Sequence, residues 1–250
     1  MRIAIIGDVH GEFAVLERLL RQTAERLAIT AAVQVGDFGF YEEKLTRAAP
    51  FHFPVRVHAI CGNRENYEYL AGAGAAGLAA QWAACNLVYQ PRASIVHLEG
   101  ECIGFIGGAL NMDRPQRRHR GNVITTDEIV KATHLFEKAR PGVIVSHSCP
   151  AGIGIGMRGT PALAWSVTEH VLMAGYDPGP KHDCGEAALT RLWREMKHRP
   201  QLWCFGHFHV HHEHVIDKTR FLCRPLIAQE SCLAVWNTEH GMVEFYPLPL

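Results

Sequence analysis

Five short apolar runs along this chain stop abruptly at Gly or Ser followed by a polar side chain. They are I-A-I-I-G-D (3–8), A-A-V-Q-V-G-D (31–37), V-H-A-I-C-G-N (57–63), V-I-V-S-H (143–147) and W-C-F-G-H-F-H (203–209). Continuous apolar runs of this length, without strict alternation, predict strands buried on both faces of a largely parallel sheet. Between them the period lengthens. Phe13, Leu16, Leu19 and Leu20 recur at helical spacing and predict a helix from Glu12 to about Leu27. Strands are expected at Arg2–Gly7, Ala32–Val35 and Val55–Ile60, followed by a helix in the Ala-rich stretch Glu65–Trp82, which Gly72, Gly74 and Gly77 interrupt. Ile95–Leu98 and Cys102–Ile106 flank Glu99-Gly100 as a hairpin. A helix is predicted over Thr126–Ala139, started by Thr125 or Thr126 ahead of Asp127 and Glu128, then a strand at Val143–Val145. The passage from Cys149 to Gly185 is rich in Gly and Pro with one helix around Trp165–Met173, and such irregular chain is expected to wall or cover a site. A helix over Gly185–His198, a strand over Leu202–Phe205 and antiparallel strands between Val215 and Tyr246 complete the pattern.

Composition narrows the class. At 250 residues and 48% hydrophobic, the chain suits one domain spanning residues 1–250. Twenty-five basic residues balance twenty-five acidic ones, so no overall field favours nucleic acid or an anionic membrane. No apolar stretch is long enough to span a bilayer, and M-R-I-A-I-I-G-D lacks the features of a secretory signal, so a cytoplasmic location is expected. The eight cysteines form no C-x-x-C pair and read as reduced structural residues. Trp165, Trp193 and Trp203 read as core.

The polar residues that end the runs carry the chemistry. In α/β sheets the carboxyl ends of the strands open onto the binding crevice. Asp8, His10, Asp37, Asn63, His147, His207 and His209 therefore converge there, and two divalent metal ions are the expected cargo. A pair of ions needs a bridging carboxylate, for which Asp37 is placed, and neutral donors that limit the charge. Mixed imidazole and carboxylate donors suit borderline metals such as manganese, iron, zinc or cobalt rather than calcium or magnesium and do not choose among them; manganese is the expected ion. His211, His212 and His214 extend the histidine run but read as residues of an exposed strand.

The ordered segments Asp8-Val9-His10, Gly36-Asp37, Gly62-Asn63-Arg64-Glu65, His147 and Gly206-His207-Phe208-His209 resemble the D-x-H, G-D, G-N-H-[ED], H and G-H-x-H pattern of the calcineurin-like metallophosphoesterases, over roughly residues 1–215. The resemblance implies a four-layer α/β/β/α sandwich of two facing mixed sheets and hydrolysis of a phosphoester by a metal-activated hydroxide. It also implies that Asp8, His10, Asp37 and His209 hold one ion, and that Asp37, Asn63, His147 and His207 hold the other.

Arg64 departs from the pattern, which has a histidine there. A guanidinium stays charged at neutral pH and cannot serve as general acid, yet it pairs well with phosphate oxygens. The expected roles are substrate binding and charge stabilisation by Arg64, with either a preference for phosphoesters with good leaving groups or reliance on another acid such as His182; phosphodiesters are favoured over monoesters. A structural reading, in which Arg64 pairs with Glu65 or Glu68, stays open. The basic stretch R-P-Q-R-R-H-R-G (114–121) makes Arg114 and Arg117 candidates to bind substrate, although a solvated loop explains it equally well. The expected partner is a small phosphoester or nucleotide. A nuclease and a binding scaffold with weak catalysis are the competing functions.

Overall fold

The computed structural model describes residues 1–47, 51–72, 76–98, 100–111, 121–155, 160–173, 175 and 182–246. Its elements are strand β1 (Arg2–Ile6), helix α1 (Phe13–Thr23), β2 (Ile29–Gln34), α2 (Glu42–Arg47), β3 (Arg56–Ala59), α3 (Tyr67–Gly72), α4 (Ala76–Ala84) and β4 (Leu87–Tyr89). There follow β5 (Ser94–Leu98), β6 (Glu101–Ile106), α5 (Thr126–Ala139), β7 (Val143–Ser146), α6 (Pro161–Val167), α7 (Ala187–Glu195), β8 (Leu202–Phe205), β9 (His212–Ile216), β10 (Thr219–Cys223), β11 (Leu233–Asn237) and β12 (Met242–Phe245). The strands form two six-stranded sheets, in the orders β12-β11-β1-β2-β3-β4 and β5-β6-β7-β8-β10-β9. In the first, β1 to β4 run parallel and β11 is antiparallel to both β1 and β12. In the second, β6, β7, β8 and β10 are parallel, while β5 and β9 close the edges antiparallel.

Alternation along each strand makes four layers out of these elements, because successive side chains point to opposite faces. Ile3 and Ile5 of β1 join Val143 and Val145 of β7, Phe105 of β6 and Leu202 and Cys204 of β8 in a core between the sheets. Ala4 and Ile6 face the other way, onto Phe13, Leu16 and Leu20 of α1. Ile144, Trp203 and Phe205 likewise face a third core containing Ile129 and Phe136 of α5 and Leu189 and Leu192 of α7. This is the four-layer α/β sandwich that the resemblance implied. The start of α5 is fixed by a capping box: Glu128 N–H donates to the Thr125 hydroxyl at 3.2 Å, and Thr125 N–H donates to the Glu128 carboxylate at 2.8 Å.

Several expectations are corrected. The first helix ends at Thr23, not near Leu27, and the Ala-rich stretch holds two helices, α3 and α4. The short elements α2 and β4 carry too few residues to show a period. The later irregular passage begins its helix at Pro161, and a π-helical turn, Thr168–Leu172, extends it. Leu163, Val167 and Val171 of that passage pack into the outer core beside α5 and α7. Trp203 is core and Trp193 packs against it, but Trp165 is 62% exposed and is not core. In the C-terminal region β10 pairs parallel with β8 as well as antiparallel with β9. Among the described residues, no helix is long and apolar enough to cross a membrane.

Phe105 sits with no exposed surface in the core between the sheets. Phe105→Ala should lower the free energy of unfolding by about 3–5 kcal/mol, read from urea denaturation monitored by circular dichroism.

Candidate metal centre

The carboxyl ends of β1, β2 and β3 in one sheet and of β7 and β8 in the other come together at one edge of the sandwich. The loops that leave these strands turn sharply. His10 (φ 51°), Asp37 (φ 51°), His207 (φ 70°) and His209 (φ 55°) all adopt left-handed backbone. Asp and His tolerate this region better than most residues, at a cost of order 1–3 kcal/mol each, and such strain collects at functional sites. The loops are tied to one another, since the N–H groups of Val9 and His10 both donate to Asp37 O, at 3.1 and 2.7 Å.

Two glycines of the pattern now have a physical reason. A Cβ on Gly62 would lie 2.1 Å from Asp37 Oδ1, and one on Gly206 would lie 2.0 Å from Asp8 Oδ1. Each glycine next to a candidate ligand thus clears space for a carboxylate delivered by a different strand.

Two overlapping groups of donors result. Asp8, His10 and His209 form one, and Asp8, Asp37 and His147 the other, with all donor atoms of a group within 4.8 Å of one another. His209 Nε2 lies 3.1 Å and His10 Nε2 3.9 Å from Asp8 Oδ2. Asp37 reaches both ways, with Oδ2 at 3.8 Å from His10 Nε2 and Oδ1 at 3.4 Å from His147 Nε2. Asn63 Oδ1 lies 2.9 Å from both His147 Nε2 and His207 Nδ1. All seven residues picked from the strand ends are brought together.

The profile of the calcineurin-like phosphoesterases matches residues 1–211. The chain belongs to that family. No curated protein matches it. Among solved structures, one superposes with a TM-score of 0.66 at 13% identity, covering 99% of each chain. The protein TT1561 of Thermus thermophilus superposes with a TM-score of 0.62 at 11% identity, covering 98% of each chain. A Staphylococcus aureus protein with a provisional 5′-nucleotidase name, solved with alpha-ketoglutarate, gives a TM-score of 0.53 at 11% identity, covering 99% of this chain and 53% of that one. At these identities the likeness establishes the fold, and the family match establishes a metallophosphoesterase, a dinuclear-metal hydrolase of phosphoesters.

The donor chemistry of this metallophosphoesterase fits such a pair of cations. Asp8 and Asp37 are buried at 0% and 2% exposure, so their charges need compensation on the spot. His147 Nδ1 lies 2.9 Å from the carbonyl of Val35, which can only accept, so Nδ1 carries a hydrogen in every protonation state and Nε2 is the nitrogen that faces the cluster. His10 Nε2 and His209 Nε2 face each other at 3.2 Å, an arrangement that a shared positive charge between the rings would satisfy. Backbone N–H groups complete the carboxylates: His207 N–H donates to both oxygens of Asp8 at 3.2 Å, and Arg64 N–H donates to Asp37 Oδ1 at 2.8 Å.

The protonation states follow from these contacts. Burial alone would discharge His147, but the Asp37 carboxylate against it, with Asp8 beyond, raises it to about 9. Burial pushes Asp37 up, but the charge and hydrogen bond of His147, the charge of His10 and the Arg64 N–H together outweigh it and lower the carboxyl from its ordinary range. His207 is held well below its usual value by burial and by the positive charge of His147. His10 is also lowered, with burial exceeding the pull of Asp37 and Asp8. At neutral pH His147 therefore carries a proton, while His10 and His207 are bare bases.

The remaining candidates divide. Arg64 is exposed beside the cluster, and its charge contributes to the lowered value of His207. The Glu65 carboxylate accepts from the N–H groups of Phe38, Gly39 and Phe40 at 2.8, 3.1 and 2.6 Å. Glu65 thereby clamps the loop that follows Asp37. His182 is exposed, and among the described residues it makes no hydrogen bond or ring contact with the seven. Arg114 and Arg117 lie outside the described residues. His212 and His214 stand on β9, with ring centroids 6.5 Å apart, away from the seven.

Sequence reasoning missed Asn111, whose side-chain oxygen accepts from the Asn63 NH2 group, and Glu186, whose carboxylate accepts from Leu110 N–H. The signal for Asn111 was present in weak form, as a polar residue shortly after the strand-ending Gly107-Gly108.

A divalent cation held by His147 would displace its proton, so binding near pH 7 should release about one proton per chain and weaken as pH falls further below 9. Calorimetric titration of metal-stripped protein in buffers of different ionisation enthalpy measures this number.

Proposed function

We propose that the protein is a dinuclear phosphoesterase that favours phosphodiesters, with Asp8, His10, Asp37 and His209 around one ion and Asp37, Asn63, His147 and His207 around the other. One observation carries this reading: the two oxygens of a single buried carboxylate, Asp37, face opposite halves of the cluster, Oδ2 toward His10 and Oδ1 toward His147. A residue with that geometry is suited to bridge. When bound, the two cations polarise the phosphoryl oxygens and acidify a water.

The protein's own residues divide the remaining work. Asp37 and Asp8 fix the positions of positive charge, and the N–H groups of Arg64 and His207 hold those carboxylates in place. The Arg64 side chain binds a phosphate oxygen and offsets charge as the ester bond breaks, without delivering a proton. Substrates whose leaving group departs without protonation are therefore preferred, which favours activated or diester phosphates. Manganese is the metal we assign, with iron, zinc or cobalt as alternatives to the same donors. A nucleotide or another small phosphoester is the substrate class, and the balance of twenty-five basic against twenty-five acidic residues argues against nucleic acid. All eight cysteines are free, in keeping with a cytoplasmic location.

The test is hydrolysis of an aryl phosphodiester and the matching monoester by protein loaded with manganese. The diester should be the better substrate by kcat/KM, and Asp37→Asn should cut activity on it about a thousandfold or more, the loss of several kcal/mol of charge stabilisation. Equal activity of Asp37→Asn and the parent would overturn the bridging assignment. Arg64→His should raise kcat on alkyl phosphoesters, whereas Arg64→Ala should raise KM for aryl and alkyl substrates alike. Unchanged kinetics in both variants would remove Arg64 from the mechanism.

A further inference from the structure

Asn63 can serve a cation only through its amide oxygen, because the NH2 end has hydrogens and no lone pair to share. The two ends of the amide have nearly the same size, so close packing does not choose between them. In the structure the oxygen faces His147 and His207, at 2.9 Å from each ring, and the NH2 group on the far side donates to the side-chain oxygen of Asn111. Asn111 is itself buried, at 6% exposure. The short segment that presents it is tied down at successive residues. Gly108 N–H donates to Cys61 O at 2.8 Å, the Asn122 side chain donates to Ala109 O at 3.2 Å, and Leu110 N–H donates to the buried Glu186 carboxylate. Cys61 lies two residues before Asn63, so the segment is anchored to the same loop whose side chain it orients.

We propose that Asn111 is a positioning residue whose oxygen holds Asn63 with its own oxygen toward the second cation, an inference that rests on the reading of Asn63 as a ligand. Turning the Asn63 amide over would bring two oxygens face to face at Asn111 and point NH2 hydrogens at a positive ion. Both contacts are repulsive, so one neutral hydrogen bond selects the ligating orientation. An acceptor is what position 111 must supply.

Substitution separates this role from packing. Asn111→Asp keeps an acceptor and cannot donate, Asn111→Ala removes it, and Asn111→Leu fills the volume without it. Manganese binding to the metal-stripped proteins is measured by calorimetry and elemental analysis, beside thermal melting of the same samples. Wild type and Asn111→Asp should each bind two ions, the aspartate variant at least as tightly. Asn111→Ala and Asn111→Leu should bind the first ion normally and the second about 10–100-fold more weakly, the range typical when the partner of a metal ligand is lost. Wild-type affinity for the second ion in Asn111→Ala overturns the proposal, and so does a loss in Asn111→Asp equal to that in Asn111→Leu. If wild-type protein takes up no second ion, Asn63 is not a ligand and the positioning role falls with it.

Discussion

Asp8 and Asp37 lie almost wholly out of water and within 4 Å of the same ring nitrogen, His10 Nε2, at 3.9 and 3.8 Å. Carboxylates in such a setting repel one another and lose hydration, so their surroundings must answer with positive charge and N–H donors. Every neighbouring feature supplies one or the other. His147 takes up a proton against Asp37, the backbones of Arg64 and His207 aim their N–H groups at the carboxylates, and the rings of His10 and His207 stay neutral with lone pairs available. A pair of divalent cations would meet the same demand with more charge.

Meeting that demand strains the backbone. The four left-handed residues at the strand ends, and the glycines whose missing Cβ admits a foreign carboxylate, would all be liabilities in an ordinary loop. They persist because the three cores on either side hold the strands rigidly. The division of labour is physical. Apolar alternation along β1, β7 and β8 fixes where the strands end, and the loops spend part of the resulting stability on a conformation that serves the site.

Much of this could be read from the chain alone, for a definite reason. In a parallel sheet the strand and its functional residue are adjacent in sequence, so I-I-G-D-V-H and F-G-H-F-H announce element and ligand together. The helix start at Thr125 or Thr126 and the antiparallel pairing of β5 with β6 were legible because their signals are local. What escaped depends on contacts between distant segments. The side-chain bond from Asn63 to Asn111 joins residues 48 apart, and that from Leu110 to Glu186 spans 76. Helix α2 and strand β4 are too short to carry a period, and Trp165 faces outward on a helix whose other side, with Leu163 and Val167, is buried.

Because the ligands come from both sheets, each proposed ion acts as a clasp across the sandwich as well as a reagent. His10 and His209 stand 199 residues apart, and a metal gripping both closes a loop that includes most of the chain. Closing so long a loop restrains the unfolded chain much as a disulfide would, but reversibly and in step with metal supply. The rim of the molecule where chemistry occurs is then also the place where its two halves are fastened, so starvation for metal would disable the enzyme and loosen its architecture by a single event.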